Sequence, residues 1–191
     1  MNNGSKDEKI TLWTAQSKIV IDTIEEKGIY HVKKEYILKK YGEVANIFLQ
    51  PYTWFVGKAE KIIPRPQGAQ YPIWLFTDLK YVDYHKDHFI LEILVDRRKV
   101  IIFDKEKWNR ILNLSYVPTD KSDAEKYEHL LERQGIYDPT DVYMKNYFPH
   151  LKARVKKSWD RLFDNSITLS ESKQGALWEI RREWITKITK V

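Results

Sequence analysis

The stretch 88–103, HFILEILVDRRKVIIF, is the most strand-like part of the sequence. Two apolar runs rich in β-branched residues, at 88–95 and 99–103, flank the charged triplet Asp96-Arg97-Arg98. Runs of this kind predict strands, and the short polar break between them is compatible with a hairpin. A β-sheet is therefore expected at the centre of the chain.

Other segments on both sides of this centre have the same character. The sequence ITLWTAQ at 10–16 predicts a first strand, the apolar run at 71–76 another, and ALWEI at 176–180 a late strand. Between the first two, helical spacing predicts one helix from Ser17 to Gly28 and two more over 35–63, divided at Pro51.

Helix signals then fill the region between the central strands and the late strand. Asp104 is placed to cap a helix, Ser122 with Glu125 forms a capping-box pattern for a second, and Pro149 suits the first turn of a third. The order of elements predicts a single α+β domain over residues 10–191, after a flexible tail at residues 1–9. Its sheet is expected to be mixed or antiparallel, with the first and last strands adjacent.

Composition sets limits on function. The 191 residues are 42% hydrophobic with a net charge of +6, which fits a globular chain whose surface is compatible with a polyanionic partner. No apolar run is long enough to cross a bilayer and the first residues are polar, so a cytoplasmic protein without a membrane partner is expected. The absence of cysteine excludes disulfides, thiolate zinc sites and a cysteine nucleophile.

Several catalytic classes lack their motifs. The seven glycines are isolated, so neither a dinucleotide-binding G-x-G-x-x-G loop nor a P-loop is present, and no G-x-S-x-G elbow occurs. His85 and His88, with Asp83 or Asp87, have spacing that a metal site could use, but their polar surroundings favour a solvated turn. No metal site is predicted.

Six short motifs occur in an order that resembles a bacterial family catalogued as domain of unknown function 3841. The resemblance covers nearly the whole chain, and it implies a family without implying an activity. The motifs are LWTAQ at 12–16, PYTW at 51–54, YPIW at 71–74, WNRILN at 108–113, SWDRLFD at 158–164 and QGALWE at 174–179.

The layout is also similar to that of ADP-ribosyltransferases: a polar first strand, a helix ending at Gly28, an aromatic second strand and a late strand with one glutamate. This resemblance implies NAD as cofactor, no metal, and transfer of ADP-ribose to a nucleic-acid or protein acceptor. Glu179 would be the catalytic carboxylate that stabilises an oxocarbenium-like ribose. The residues expected to bind NAD are Trp13, Thr14, Gln16, Tyr52, Trp74 and Arg97.

Other interpretations stay open at this point. Strand alternation favours Glu179 as an outward-facing residue between two core residues, Trp178 and Ile180. A basic nucleic-acid-binding module without catalysis would use the lysine pairs on the backbone and exposed aromatics on unpaired bases. An accessory protein that docks to another protein would use its Trp and Tyr residues as anchors.

Overall fold

The computed structural model describes residues 8–42, 45–84 and 86–191. The chain divides into two compact units, one built from residues 1–102 and 173–191 and the other from residues 103–172. Most of the tail predicted at residues 1–9 lies outside the described residues, and the first strand begins at Lys9. None of the helices in the described ranges combines the length and the apolarity that a membrane span requires.

The first unit is built on a six-stranded sheet in the order β5-β6-β3-β1-β4-β8, and β2 pairs with β7 in a separate two-stranded sheet. Its helices are α1 (Lys18–Lys27), α2 (Lys34–Tyr41) and α3 (Ala45–Ile62). Its strands are β1 (Lys9–Gln16), β2 (Ile29–Tyr30), β3 (Ile73–Phe76), β4 (Phe89–Asp96), β5 (Ile101–Asp104), which continues into the second unit, β6 (Lys173–Leu177), β7 (Ile180–Arg181) and β8 (Ile185–Lys190).

The core of the first unit lies where α1 covers the sheet. Leu12, Leu75 and Leu91, on three adjacent strands, are fully buried. They belong to one apolar cluster with Ile21 and Ile24 on the inner face of α1. Gly28 then ends α1 in the left-handed conformation that favours glycine, as the sequence predicts.

The second unit is helical, with α4 (Lys105–Leu112), α5 (Lys121–Arg133), α6 (Asp141–Met144) and α7 (Pro149–Ser158). Trp159 is completely buried and stacks on Tyr143, with 5.3 Å between ring centroids. Lys107 is also buried, and its Nζ donates to the carbonyls of Arg161 and Asp164 at 2.9 and 2.7 Å. These contacts hold the short helices together.

The predicted α+β class is confirmed, and the sheet is antiparallel. The prediction of a hairpin between β4 and β5 is wrong, because three strands of the sheet separate them. All eight residues of β4 pair with β1 on one side, and β8 occupies the other side. No edge of β4 is left for β5.

The predicted adjacency of the first and last strands is also wrong. β3 lies between β1 and β6, and β4 lies between β1 and β8. Both edges of β1 are therefore occupied by strands from the middle of the chain. The predicted late strand at 176–180 is interrupted as well: β6 ends at Leu177, and the chain bends before β7 joins β2.

Helix boundaries differ from the sequence prediction in two places. The region 35–63 forms two helices as expected, but the break is at Gly42, whose φ of 55° favours glycine, and α3 continues through Pro51. The N-cap of α5 is Asp120, whose side chain accepts from the backbone of Asp123 at 2.8 Å, rather than Ser122.

Candidate functional site

A cavity of about 290 Å³ lies in the first unit, next to the carboxyl end of β1. Its walls come from β1, β2, α2, α3 and β3, so five elements position the side chains that line it. These side chains are largely aromatic, with a few polar groups among them. They include Tyr30, Tyr36, Tyr52, Tyr71, Trp74, Thr14, Gln16 and Asp83.

The polar wall is a short relay of hydrogen bonds. Thr14 is 3% exposed, and its hydroxyl donates to the backbone carbonyl of Trp74 at 2.9 Å. The same hydroxyl oxygen accepts from Nε2 of Gln16 at 2.8 Å. The relay fixes the orientation of the Gln16 carboxamide, whose Oε1 accepts no hydrogen bond within the described ranges. This oxygen is an acceptor available to a ligand.

The aromatic wall is held by ring contacts. Tyr52 lies 5.7 Å from Trp74 and 6.1 Å from Tyr71, measured between centroids. Behind it, Phe55 meets Trp74 edge to face at 5.0 Å. These ring contacts limit the rotamers open to Tyr52 and Trp74 on this side of the cavity.

Tyr30 and Tyr36 form the third wall, with nearly parallel rings whose centroids are 6.4 Å apart. Burial, with a smaller effect of neighbouring Tyr36, raises the pKa of Tyr30 to about 12. The Tyr30 hydroxyl, protonated at neutral pH like that of any tyrosine, can donate or accept. In the part of the chain that the structure describes, no group forms a hydrogen bond with it.

Four of the six residues predicted to bind NAD line this cavity: Thr14, Gln16, Tyr52 and Trp74. Trp13 does not. Successive side chains of a strand point to opposite faces, so Trp13 lies on the other side of the sheet from Thr14. There its Nε1 donates to Glu92 at 3.4 Å, beside a different cavity that includes Lys187.

Arg97 is also elsewhere in the first unit. It follows β4 in a single 3₁₀ turn, and its Nη1 donates to the carbonyl of Val100 at 2.8 Å. This bond stabilises its own turn. No arginine or lysine is among the described residues that line the aromatic cavity.

Glu179 is buried, and not outward-facing as strand alternation suggested. It is 8% exposed, in the bend between β6 and β7. Its Oε1 accepts from Nε of Arg181 at 2.6 Å, and its Oε2 lies 3.2 Å from Nε2 of His31. Burial alone would raise the pKa of Glu179, but Arg181 and His31 together outweigh burial and lower it.

The cavity beside Glu179 is a different one, of about 250 Å³, lined also by Trp178, Trp184 and Lys99. The structure therefore does not bring Glu179 together with Gln16. The interruption after Leu177 is the physical reason, since it turns the chain toward β2 and His31 before the glutamate is reached.

The sequence reasoning missed Tyr30, Tyr36 and Asp83. Asp83 is exposed, and it is the one carboxylate among the described lining residues of the aromatic cavity. Tyr30 could have been found as the first aromatic residue after the glycine that ends α1. Asp83 carries no sequence signal, because only the fold brings its loop to β1.

The cavity can hold a flat ring that carries N–H groups. Aromatic walls bind planar faces, the Gln16 oxygen accepts from an amide or amino group, and tyrosine hydroxyls serve polar atoms at the ring edge. Residues 8–42, 45–84 and 86–191 contain no group of three or more His, Cys, Asp or Glu side chains placed to hold a metal ion. The predicted solvated turn around His85 lies partly outside the described residues.

Comparison with known proteins gives one match. Neither the curated proteins nor the solved structures match this chain. The model of one protein family, described as domain of unknown function (DUF3841), matches residues 11–186 of the 191. The match covers both compact units almost completely, and the chain therefore belongs to the DUF3841 family.

Proposed function

We propose that this protein binds a nucleotide through its planar ring in the aromatic cavity, with the nicotinamide ring of NAD as the first candidate. One observation supports this most directly. Four residues chosen from the sequence for a planar ligand line the same cavity as three further tyrosines. Such a convergence of aromatic faces and a few oriented polar atoms is typical of small-molecule sites.

The size of the cavity limits what enters it. About 290 Å³ is at the lower end of the range for ligand sites, roughly 300 to 1,000 Å³. One ring with part of its ribose fits this space, and a whole dinucleotide does not. The phosphates of the ligand would therefore lie outside the aromatic walls.

The hydrogen-bonding groups favour a ring with an exocyclic nitrogen donor. Oε1 of Gln16 is held in place by the Thr14 relay and needs an N–H partner. The carboxamide of nicotinamide and the amino group of adenine both supply one. A half-buried acceptor without a partner lowers affinity for ligands that lack such a donor.

Transfer of ADP-ribose is the chemical extension of this proposal, with a protein or nucleic acid as acceptor. When the bond between ribose and nicotinamide breaks, positive charge develops on the ribose, and a nearby carboxylate stabilises it. Asp83 would supply that carboxylate, since Glu179 is held by His31 and Arg181 in another cavity. A location in the cytoplasm belongs to the same proposal.

Binding can be tested by thermal unfolding with NAD, nicotinamide and adenosine. A ligand at a hundred times its Kd should stabilise the protein by about 2.7 kcal/mol. We expect Gln16→Ala to weaken binding roughly tenfold through the lost hydrogen bond. Gln67→Ala, at an exposed position that does not line the cavity, should have no effect.

The outcomes separate binding from chemistry. Absence of binding by all three ligands, or equal affinity of Gln16→Ala and the unmodified protein, would overturn the proposal. Release of nicotinamide from NAD would establish chemistry, and loss of that release in Asp83→Asn but not in Glu179→Gln would assign it to the aromatic cavity.

A second candidate function, nucleic-acid binding, is favoured by the surface of the second unit. Tyr147 and Tyr137 are 79% and 89% exposed. The helix α7 carries three lysines and one arginine without an acidic residue. Exposed rings can stack on unpaired bases while cations follow the backbone. This candidate predicts that Tyr147→Ala weakens binding of single-stranded RNA and that affinity falls steeply with salt. A flat salt response would exclude it.

A further inference from the structure

We infer that a second cleft in the first unit, sharing Tyr71 with the aromatic cavity, binds a phosphate of the same ligand. This inference rests on the proposed function and specifies its substrate class: a phosphorylated nucleotide rather than a free base or nucleoside. The cleft has a volume of about 220 Å³ and is lined by Lys34, Thr53, Val56, Arg65, Gln70 and Tyr71. Tyr71 lines both spaces, so they adjoin each other at this side chain.

The cleft is rich in hydrogen-bond donors and contains two cations. Oε1 of Gln70 accepts from the backbone N–H of Lys34 at 2.7 Å, which leaves Nε2 of Gln70 as a donor. The Nζ of Lys34 contacts no partner in the ranges that the structure describes. The described lining residues include no carboxylate. Two cations and an amide donor, without a carboxylate in the lining, suit an anion.

Arg65 is only partly engaged. Its Nε lies 3.4 Å from Glu60, and its Nη1 donates to the carbonyl of Ala69 at 3.5 Å. Both distances are long for charge-assisted hydrogen bonds, which are usually about 2.7 to 2.9 Å. The guanidinium is thus only loosely held by Glu60 and Ala69, and Nη2 remains for a ligand. Arginine and lysine together are the usual ligands of phosphate groups.

The position of the cleft is fixed by backbone bonds. The carbonyl of Val32 accepts from the N–H groups of Gln70 and Tyr71 at 3.1 and 3.3 Å. These bonds connect the segment that carries Lys34 to the one that carries Gln70 and Tyr71. The donors are therefore held beside the Tyr71 ring, where the phosphate of a nucleotide bound in the aromatic cavity would emerge.

The two spaces bind different parts of the ligand, the ring in the aromatic cavity and the phosphate in the cleft. The aromatic cavity has no described cation in its lining and is too small for a whole nucleotide, whereas the adjoining cleft supplies the charge. A free nucleotide and the phosphorylated end of a nucleic-acid strand share this chemistry. The inference concerns a phosphate attached to a ring-bearing nucleoside.

The test compares ligands that differ only in phosphate. Calorimetric titration would measure Kd for adenosine against AMP and for nicotinamide riboside against its mononucleotide. We expect each phosphorylated ligand to bind at least about tenfold more tightly, as a charge-assisted contact to two cations implies. In the double variant Lys34→Gln, Arg65→Gln this difference should disappear while nucleoside affinity is unchanged.

A matched control has the same net charge as the double variant of Lys34 and Arg65. The double variant Lys39→Gln, Lys61→Gln also loses two positive charges, at exposed positions that do not line the cleft. It should retain the full preference for the phosphorylated ligand. An equal loss in both double variants would mean that the net charge, and not the cleft, attracts the phosphate, and would overturn the inference.

Failure of the inference can be distinguished from failure of the proposed function. Equal affinity of nucleoside and nucleotide in the unmodified protein would overturn the inference and leave the proposed function standing. Failure of every ring-bearing ligand to bind would overturn both. Binding of a 5′-phosphorylated oligonucleotide as tightly as AMP, lost in the Lys34 and Arg65 double variant, would support the cleft and identify a strand end as the source.

Discussion

Thr14 connects the sheet to the aromatic cavity through a single hydroxyl that donates to Trp74 and accepts from Gln16. We expect Thr14→Val to destabilise the protein by about 1 to 2 kcal/mol, because the hydrogen bond from the buried Thr14 hydroxyl to the Trp74 carbonyl is lost. Ligand affinity should fall as well, since the Gln16 carboxamide is no longer oriented. Thr14→Ser keeps the hydroxyl and should preserve most of both. Urea unfolding and ligand titration of the two variants would check this, and equal behaviour of Val and Ser would contradict it.

Glu179 is expected to act on stability and not on ligand affinity. Its pKa is lowered in the folded state, so its contribution is present above the ordinary value of about 4.5 and is lost as the pH falls through the folded value. Glu179→Gln should cost about 2 kcal/mol at pH 7, because His31 and Arg181 lose their anion. The cost should shrink in acid. Urea unfolding at pH 7 and pH 3 measures it, and a cost that does not change with pH would contradict this role.

Residue types predicted part of the candidate site. Thr14, Gln16, Tyr52 and Trp74 were found because a planar ligand needs aromatic faces and short polar groups, whatever the exact fold. Trp13, predicted together with them, lines a different cavity beside Glu92 and Lys187. Asp83 was beyond reach, since its place beside β1 depends on contacts between distant segments.

At the scale of the elements, the Asp104 side chain connects the start of α4 to residues 169–170 in the second unit. Its Oδ1 caps α4 by accepting from the backbone of Glu106 at 2.8 Å, and its Oδ2 accepts from Leu169 and Ser170 at 2.9 and 2.8 Å. We expect Asp104→Ala to cost about 3 kcal/mol, more than the roughly 1 kcal/mol of an ordinary cap, because the half-buried N–H groups of Leu169 and Ser170 also lose the carboxylate to which they donate.

The control for this element is the cap of α5. Asp120→Ala removes one capping bond at an exposed site and should cost only about 1 kcal/mol. Urea unfolding of both variants gives the comparison. Equal costs would show that the contacts of Asp104 to Leu169 and Ser170 contribute nothing.

The sequence predicted the ends of individual helices better than the pairing of the strands. The cap at Asp104, the end of α1 at Gly28 and the start of α7 at Pro149 depend on local chemistry that the sequence displays. The neighbours of β4 depend on which strands compete for its two edges, and these edges are occupied by β1 and β8. That competition involves segments up to the end of the chain, so a local hairpin pattern could not reveal it.

At the scale of the whole molecule, each compact unit contains one buried tyrosine whose pKa is raised to about 12, mainly by burial: Tyr30 in the first and Tyr127 in the second. An unfolded tyrosine ionises near pH 10. The contribution of these two tyrosines to the free energy of unfolding is therefore fully present below pH 10. It falls as the pH rises toward 12, by no more than about 2 kcal/mol for each residue.

Scanning calorimetry between pH 7 and pH 11 would check this alkaline loss. Tyr30→Phe and Tyr127→Phe should each flatten part of it, since phenylalanine does not titrate. Tyr137→Phe, at a highly exposed position, should leave the curve unchanged. A stability that is constant up to pH 11 in the unmodified protein would contradict the prediction.

The fixed carboxamide of Gln16 has a consequence for selectivity among related metabolites. Nε2 of Gln16 donates to the Thr14 hydroxyl, so Oε1 of Gln16 points away from Thr14. This oxygen repels a ligand oxygen placed opposite it. Deamination of adenosine to inosine, or deamidation of nicotinamide to nicotinic acid, exchanges an amino group for an oxygen at such a position. Under the proposed function, the protein would therefore bind adenosine and nicotinamide more tightly than inosine and nicotinic acid.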